Sequence, residues 1–222
     1  MRLEVDALLF DIDGTLVDST PVVERTWRTW AGRRGLDAEE ILRVCHGRRS
    51  EDTIADLLPV GERAAATVEL EELELADLDD VVALPATRVL LPRLPTDRWA
   101  AVTSGSQRLM RARLAAAGLP VPAVLVGAED VSVGKPDPEG YLKAAAALGV
   151  DVSRCLVVED APAGLAAGRA AGARTLGVAT SHEPGALRSA DVVVADLTAV
   201  SVEATTGGLA VTVSRSTSEP AG

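Results

Sequence analysis

Two carboxylates spaced two residues apart open the chemistry of this chain: Asp11 and Asp13, in Asp11-Ile12-Asp13-Gly14-Thr15-Leu16. They follow an apolar run, residues 5–10, broken only by Asp6, which reads as a buried parallel strand ending in a tight turn. Strand side chains repeat every two residues, so both acids point the same way. Carboxylates set so close repel unless a cation or a shared proton relieves them. The carboxyl end of a parallel strand is also where α/β sheets bind ligands. A solvated Asx-Gly turn can carry the same residues. Three further segments argue for more.

Thr103-Ser104-Gly105-Ser106 follows a second apolar run, residues 99–102. A hydroxyl-and-glycine turn between strand and helix presents Oγ and backbone N–H groups to an anion. Ser106 suits the helix N-terminus, which leaves Ser104 and Gly105 to face a ligand. Lys135 is the next signal, because the chain holds 20 arginines and only two lysines. A lysine is a compact point charge where arginine is a planar fork. Lys135 sits in the rigid turn Gly134-Lys135-Pro136-Asp137-Pro138, whereas Lys143 falls on a helix and reads as a surface residue. Glu159 and Asp160 close the set, directly after the apolar residues 155–158 and before Ala161-Pro162-Ala163-Gly164. Adjacent acids there can serve a helix dipole. Together with Asp11 and Asp13 they make an oxygen-rich cluster of the kind Mg²⁺ takes.

The elements that must position these residues alternate. Apolar runs at 5–10, 98–103, 122–126, 154–158, 174–178 and 191–195 interleave with helical patterns at 106–117, 138–148, 162–171 and 184–189. That rhythm predicts an α/β fold: a Rossmann-like parallel sheet core with helices on both faces. Residues 19–84 break it, with no clear strand. A helix from Asp18 or Ser19 to Arg34 ends at Gly35, another opens at Ser50, and residues 62–77 form a third. This predicts an inserted α-helical cap, residues 18–84, on a core of residues 1–17 and 85–215. Its attachment just past Asp13 sets it over the ligand end of the sheet, with linkers at 17–20 and 84–87. Trp27 and Trp30, at i and i+3, pack on one face of the cap. The glutamates from Glu69 to Glu74 read as a solvated helix face. Residues 200–214 alternate around Gly207-Gly208 as a β-hairpin, and residues 216–222 read as a flexible tail.

A chain of 222 residues with 47% hydrophobic residues buries a sizeable core. A net charge of −11 speaks against nucleic acid as a partner, since that needs a basic footprint. It also obliges any anion site to be built locally. No apolar run approaches the roughly 20 residues of a membrane span. Cys45 and Cys155 have no metal-ligand spacing and read as buried thiols in a reducing compartment. With no signal-peptide pattern at the start, the expected setting is a cytoplasmic monomer without a membrane partner.

In order and spacing, Asp11–Asp13–Gly14–Thr15, Ser104, Lys135 and Glu159–Asp160 resemble the four motifs of the haloacid dehalogenase-like phosphohydrolases. The finer match is to sugar- and polyol-phosphate phosphatases. It rests on His46-Gly47-Arg48-Arg49, Val102-Thr103-Ser104-Gly105-Ser106, Gly134 through Tyr141, Glu159 through Gly164, and Asp196-Leu197-Thr198. The resemblance implies a Mg²⁺-dependent phosphatase acting on a small phosphorylated metabolite, a sugar or polyol phosphate. In it Asp11 is the nucleophile, Asp13 the general acid and base, and Ser104, Gly105 and Lys135 the phosphate holders. Asp11, the Asp13 carbonyl, Asp160 and Glu159, directly or through water, are its metal ligands. Arg49 reads the substrate from the cap, with Arg48 a second candidate and His46 structural. The implied alternatives are a β-phosphoglucomutase-like mutase, whose cap arginine is replaced here by Ser50, and a non-catalytic binding or regulatory module. Phosphonate hydrolases of the superfamily use a cap lysine, and residues 19–84 contain none.

Overall fold

The run at residues 5–10 does not form one strand. In the computed structural model, which describes residues 1–214, Asp6 divides it into β1 (Arg2–Val5) and β2 (Ala7–Phe10), and the two join different sheets. Only β2 enters the main sheet. There it pairs in parallel with β5 (Trp99–Val102) on one side and β7 (Cys155–Glu159) on the other. Beyond β5 lies β6 (Val124–Val126); beyond β7 lie β8 (Arg174–Val178) and β9 (Val192–Val194). The order β6-β5-β2-β7-β8-β9 is parallel throughout. The chain builds outward from β2 through β5 to β6, then returns to lay β7 on the opposite side of β2. Sheets of this type bind ligands where the strand order reverses in this way.

Alternation along β2 explains the layers. Leu8 and Phe10 face one cluster, with Leu109, Met110 and Leu114 of α6 (Gln107–Ala116). Ala7 and Leu9 face the other, with Tyr141, Ala144 and Ala145 of α7 (Glu139–Leu148) and Ala167 of α8 (Pro162–Ala170). The strand is therefore buried on both sides, as its unbroken apolar run requires. The candidate helix at 184–189 is a shorter 3₁₀ turn, Pro184–Leu187.

The insertion is helical: α1 (Thr20–Arg34), α2 (Ala38–Cys45), α3 (Ser50–Leu57) and α4 (Val60–Ala76). α1 ends on Gly35, whose φ of 65° is the left-handed conformation glycine accepts without strain. α2 has no counterpart in the sequence reading, although Asp37 caps it by accepting from the Glu39 and Glu40 N–H groups. Trp27 and Trp30 meet edge to face at 5.3 Å, and the Trp30 indole donates to the Ala66 carbonyl across to α4. The insertion is not strand-free. β3 (Val17–Asp18) and β4 (Val82–Ala83) pair antiparallel where the two linkers leave the core, and a short α5 (Thr87–Leu90) follows. Two residues per strand are too few to show alternation.

The hairpin of β10 (Val200–Ala204) and β11 (Leu209–Val213) forms as its pattern predicts. It also takes β1 as a third strand, in register from Arg2↔Thr212 to Val5↔Leu209. The candidate tail at 216–222 lies outside the described residues.

Candidate active site

Four chain segments converge above the ends of β2, β5 and β7. Asp11 follows β2 and its backbone N–H donates to the Val158 carbonyl of β7, which holds its side chain at the reversal point. Lys135, from the loop after β6, lies 2.5 Å from Asp11 Oδ1 and 2.6 Å from Glu159 Oε1. Its Nζ also donates to the Val102 carbonyl at 3.1 Å. The Tyr141 hydroxyl donates to the same Glu159 oxygen at 2.7 Å. Asp160 accepts from the Thr15 hydroxyl at 3.3 Å and from the Ser181 hydroxyl. Gly14, at φ 84°, leaves the space Asp160 needs: a Cβ there would lie 2.1 Å from Asp160 Oδ2.

Charge is unbalanced in this cluster. Asp11, Glu159 and Asp160 are buried, and each offers a carboxylate oxygen within 4.8 Å of the others. Burial pushes Asp11 well above the usual carboxylate range; Lys135 pulls it back, and Glu159 and Asp160 add to the rise. Burial, then Glu159, pushes Asp160 up to about 7 against the Ser181 hydroxyl bond. Burial disfavours the Lys135 charge too, but Asp11 and Glu159 outweigh it and hold the ammonium above the ordinary lysine range. One ammonium does not neutralise three carboxylates. An all-oxygen donor set in that condition fits a hard divalent cation. Asp11 and Asp160 are the ligands with least competition, because Glu159 is engaged by Lys135, Tyr141 and, at 3.4 Å, the Ala161 N–H.

Asp13 faces the same pocket but a different neighbourhood. Its Oδ1 accepts from Ser19 at 2.7 Å and its Oδ2 from Arg113 at 2.8 Å. Ser104 lines the pocket and donates to the Gly47 carbonyl of the insertion at 2.9 Å. The Gly105 N–H donates to the Thr103 hydroxyl at 3.1 Å. Ser106 accepts from the Leu109 N–H and so caps α6.

The two candidate cap arginines are placed differently. Arg49 does not line this pocket. Its guanidinium forks onto Asp52 at 2.8 and 2.9 Å, meets Glu51 at 2.7 Å, and its stem lies on Gly134. Two carboxylates of its own helix satisfy it there. Arg48, Ser50 and His46 line the pocket instead. Glu74 departs from the solvated face assigned to it: it is buried and lines the pocket, paired with Arg113 at 2.9 Å.

Tyr141, Ser19, Ser181, Arg113 and Glu74 were not singled out as site residues from sequence. Two of them carry a signal. Arg113 sits on the apolar stripe Leu109, Met110, Leu114, and Glu74 continues the buried series Ala66, Leu70. A charge on a core stripe marks a buried pair.

A parallel sheet reversing at β2, a helical insertion over that point, and a carboxylate–lysine–carboxylate cluster beneath it define a capped α/β hydrolase. The chain belongs to the haloacid dehalogenase-like hydrolases, whose family model matches residues 5–172. It is 42% identical over 199 residues to hexitol phosphatase A of Escherichia coli, covering 87% of this chain and 92% of that one. It is 35% identical over 195 residues to glycerol-1-phosphate phosphohydrolase 2 of Saccharomyces cerevisiae, covering 82% and 78%. Among solved structures, a hydrolase from Pseudomonas syringae matches with a TM-score of 0.78 and 26% identity, over 86% of this chain and 94% of that one. No helix among the described residues is long and apolar enough to cross a membrane.

Proposed function

We propose that the protein is a Mg²⁺-dependent phosphatase that hydrolyses a small sugar or polyol phosphate monoester through an aspartyl-phosphate on Asp11. The observation that carries this reading is the Asp11 carboxylate, 2.5 Å from Lys135 and within 4.8 Å of the Glu159 and Asp160 oxygens. The substrate class draws on the likeness to a hexitol phosphatase and a glycerol-1-phosphate phosphohydrolase.

Asp11 attacks phosphorus and displaces the alcohol, which splits one difficult hydrolysis into two transfers. Lys135 lies beside the attacking oxygen and offsets the repulsion between carboxylate and phosphate. Glu159 and Tyr141 keep Lys135 in place. Ser104 Oγ and the Gly105 N–H exchange their present partners, Gly47 and Thr103, for phosphoryl oxygens. Asp13 protonates the leaving alkoxide and then takes a proton from the water that hydrolyses the aspartyl-phosphate. A divalent ion held by Asp11, Asp160 and the Asp13 carbonyl supplies further charge neutralisation when bound. Ser50, not an arginine, lines the pocket beside Arg48, which supports hydrolysis over a mutase that must grip a second phosphate. Two buried free thiols fit a cytoplasmic setting.

Phosphate release with Mg²⁺ across hexose, pentose, polyol and nucleotide monophosphates tests the reading. Selective release from a sugar or polyol phosphate, abolished in Asp11→Asn, is expected. No release, but glucose 6-phosphate formed from β-glucose 1-phosphate, makes the protein a mutase. No turnover of any phosphate makes it a binding module.

A further inference from the structure

Arg113 is the least expected charge in the molecule. It occupies the buried stripe of α6, where a leucine would close the core, and its side chain is 3% exposed. Its Nη1 donates to Asp13 Oδ2 at 2.8 Å and its Nη2 to Glu74 Oε1 at 2.9 Å. Its Nε has no hydrogen-bond partner among the described residues. Burying a guanidinium with an unpaired N–H is unfavourable, and an apolar replacement of similar volume is often neutral or stabilising. Fold stability alone does not account for it.

Its partners suggest the reason. Glu74 comes from α4 of the cap, Asp13 from the turn after β2, and Arg113 from the core, so one side chain joins all three. A guanidinium only donates, which keeps Asp13 Oδ2 an acceptor. That leaves Asp13 Oδ1 as the oxygen outside the ion pair. The group facing that oxygen is the Ser19 hydroxyl, 2.7 Å away, which both donates and accepts.

We propose that Arg113, braced by Glu74 from the cap, is the positioning residue that fixes the orientation of the Asp13 carboxyl and leaves Oδ1 as the oxygen that serves the reaction. This rests on the reading of Asp13 as the proton donor. As the phosphorus–oxygen bond of the ester breaks and phosphorus passes to Asp11, the proton passes from the Asp13 carboxyl to the leaving oxygen. Asp13 is left as a carboxylate held by Arg113 and Ser19. The Glu74–Arg113 pair ties that alignment to the cap.

The test is kcat/KM across a series of phenyl phosphates, from p-nitrophenyl to unsubstituted, at saturating Mg²⁺. Poor leaving groups need the proton and good ones do not, so the slope against leaving-group basicity reports proton transfer apart from folding and binding. In Arg113→Gln the slope is expected to steepen, with unsubstituted phenyl phosphate losing about tenfold more than p-nitrophenyl phosphate. Arg113→Lys should recover part of the loss. Glu74→Gln, which keeps shape and an acceptor, should steepen the slope less, and it carries the test if Arg113→Gln does not fold. Asp13→Asn separates the two claims. A steeper slope in Asp13→Asn with uniform or no loss in the Arg113 and Glu74 variants overturns the positioning role alone. A uniform loss in Asp13→Asn overturns the proton-donor reading and this proposal with it.

Discussion

Lys135 is held by three acceptors in three directions: Asp11, Glu159 and the Val102 carbonyl. A point charge satisfies them all; a planar fork of greater length does not. Lys135→Arg should therefore lower kcat by about 10²–10³-fold, the scale of losing one preorganised donor, while leaving the melting temperature close to that of the parent. Steady-state kinetics beside a melting curve measures both. The cysteines make an opposite case, residues kept silent by their surroundings. Burial pushes the Cys45 thiol up to about 12, and burial with Asp6 and Asp151 pushes Cys155 up to about 11. At pH 8 each is far below its pKa, so the thiolate is scarce. Native alkylation by iodoacetamide should run at least about two orders of magnitude slower than at a free thiol, rise as pH increases, and become fast in urea. At this scale the sequence is read best where a residue type is rare. Lys135 stands out in a chain of arginines, and Asp11 and Asp13 stand out at a strand end. Arg113 and Glu74 are hidden among many residues of their own kind, and only their place on an apolar stripe distinguishes them.

Strand and helix periods made most of the core legible, because a strand buried on both faces leaves an unbroken apolar run. What they missed is short or paired at long range. β3 and β4 have two residues each, and β1 owes its sheet to a partner more than 200 residues away. The cap was legible as helix, but not how Arg49 turns within it, since Asp52 and Glu51 compete for the guanidinium locally. Helix α8 shows how closely an element is fitted to the site. A Cβ on Gly164 would lie 1.8 Å from Glu159 Oε1, in the first turn of that helix. Gly164→Ala must therefore displace the Glu159 carboxylate and with it the hold on Lys135. A shift near 1 Å at a reacting group costs about 10²-fold, so activity should fall by about that factor while far-ultraviolet circular dichroism keeps the helical signal. An unchanged rate would mean that Glu159 does not position Lys135.

Across the whole molecule, the three-stranded sheet β1-β11-β10 closes the chain on itself. The Met1 amino group donates to the Val213 carbonyl at 2.7 Å, and Leu209 and Val211 pack into the same core as Leu8 and Phe10. Leu209 is fully buried, so Leu209→Ala should cost about 2–5 kcal/mol, read by urea denaturation, although it lies far along the chain from every candidate catalytic group. That closure also sets an order in time. During synthesis β1 emerges more than 200 residues ahead of β11. Until residues 209–213 appear, β1 has no strand to pair with, and the surface it will cover stays open. A growing chain can thus assemble its helical insertion and its six-stranded sheet first, while β1 must wait for β11 before the three-stranded sheet can form.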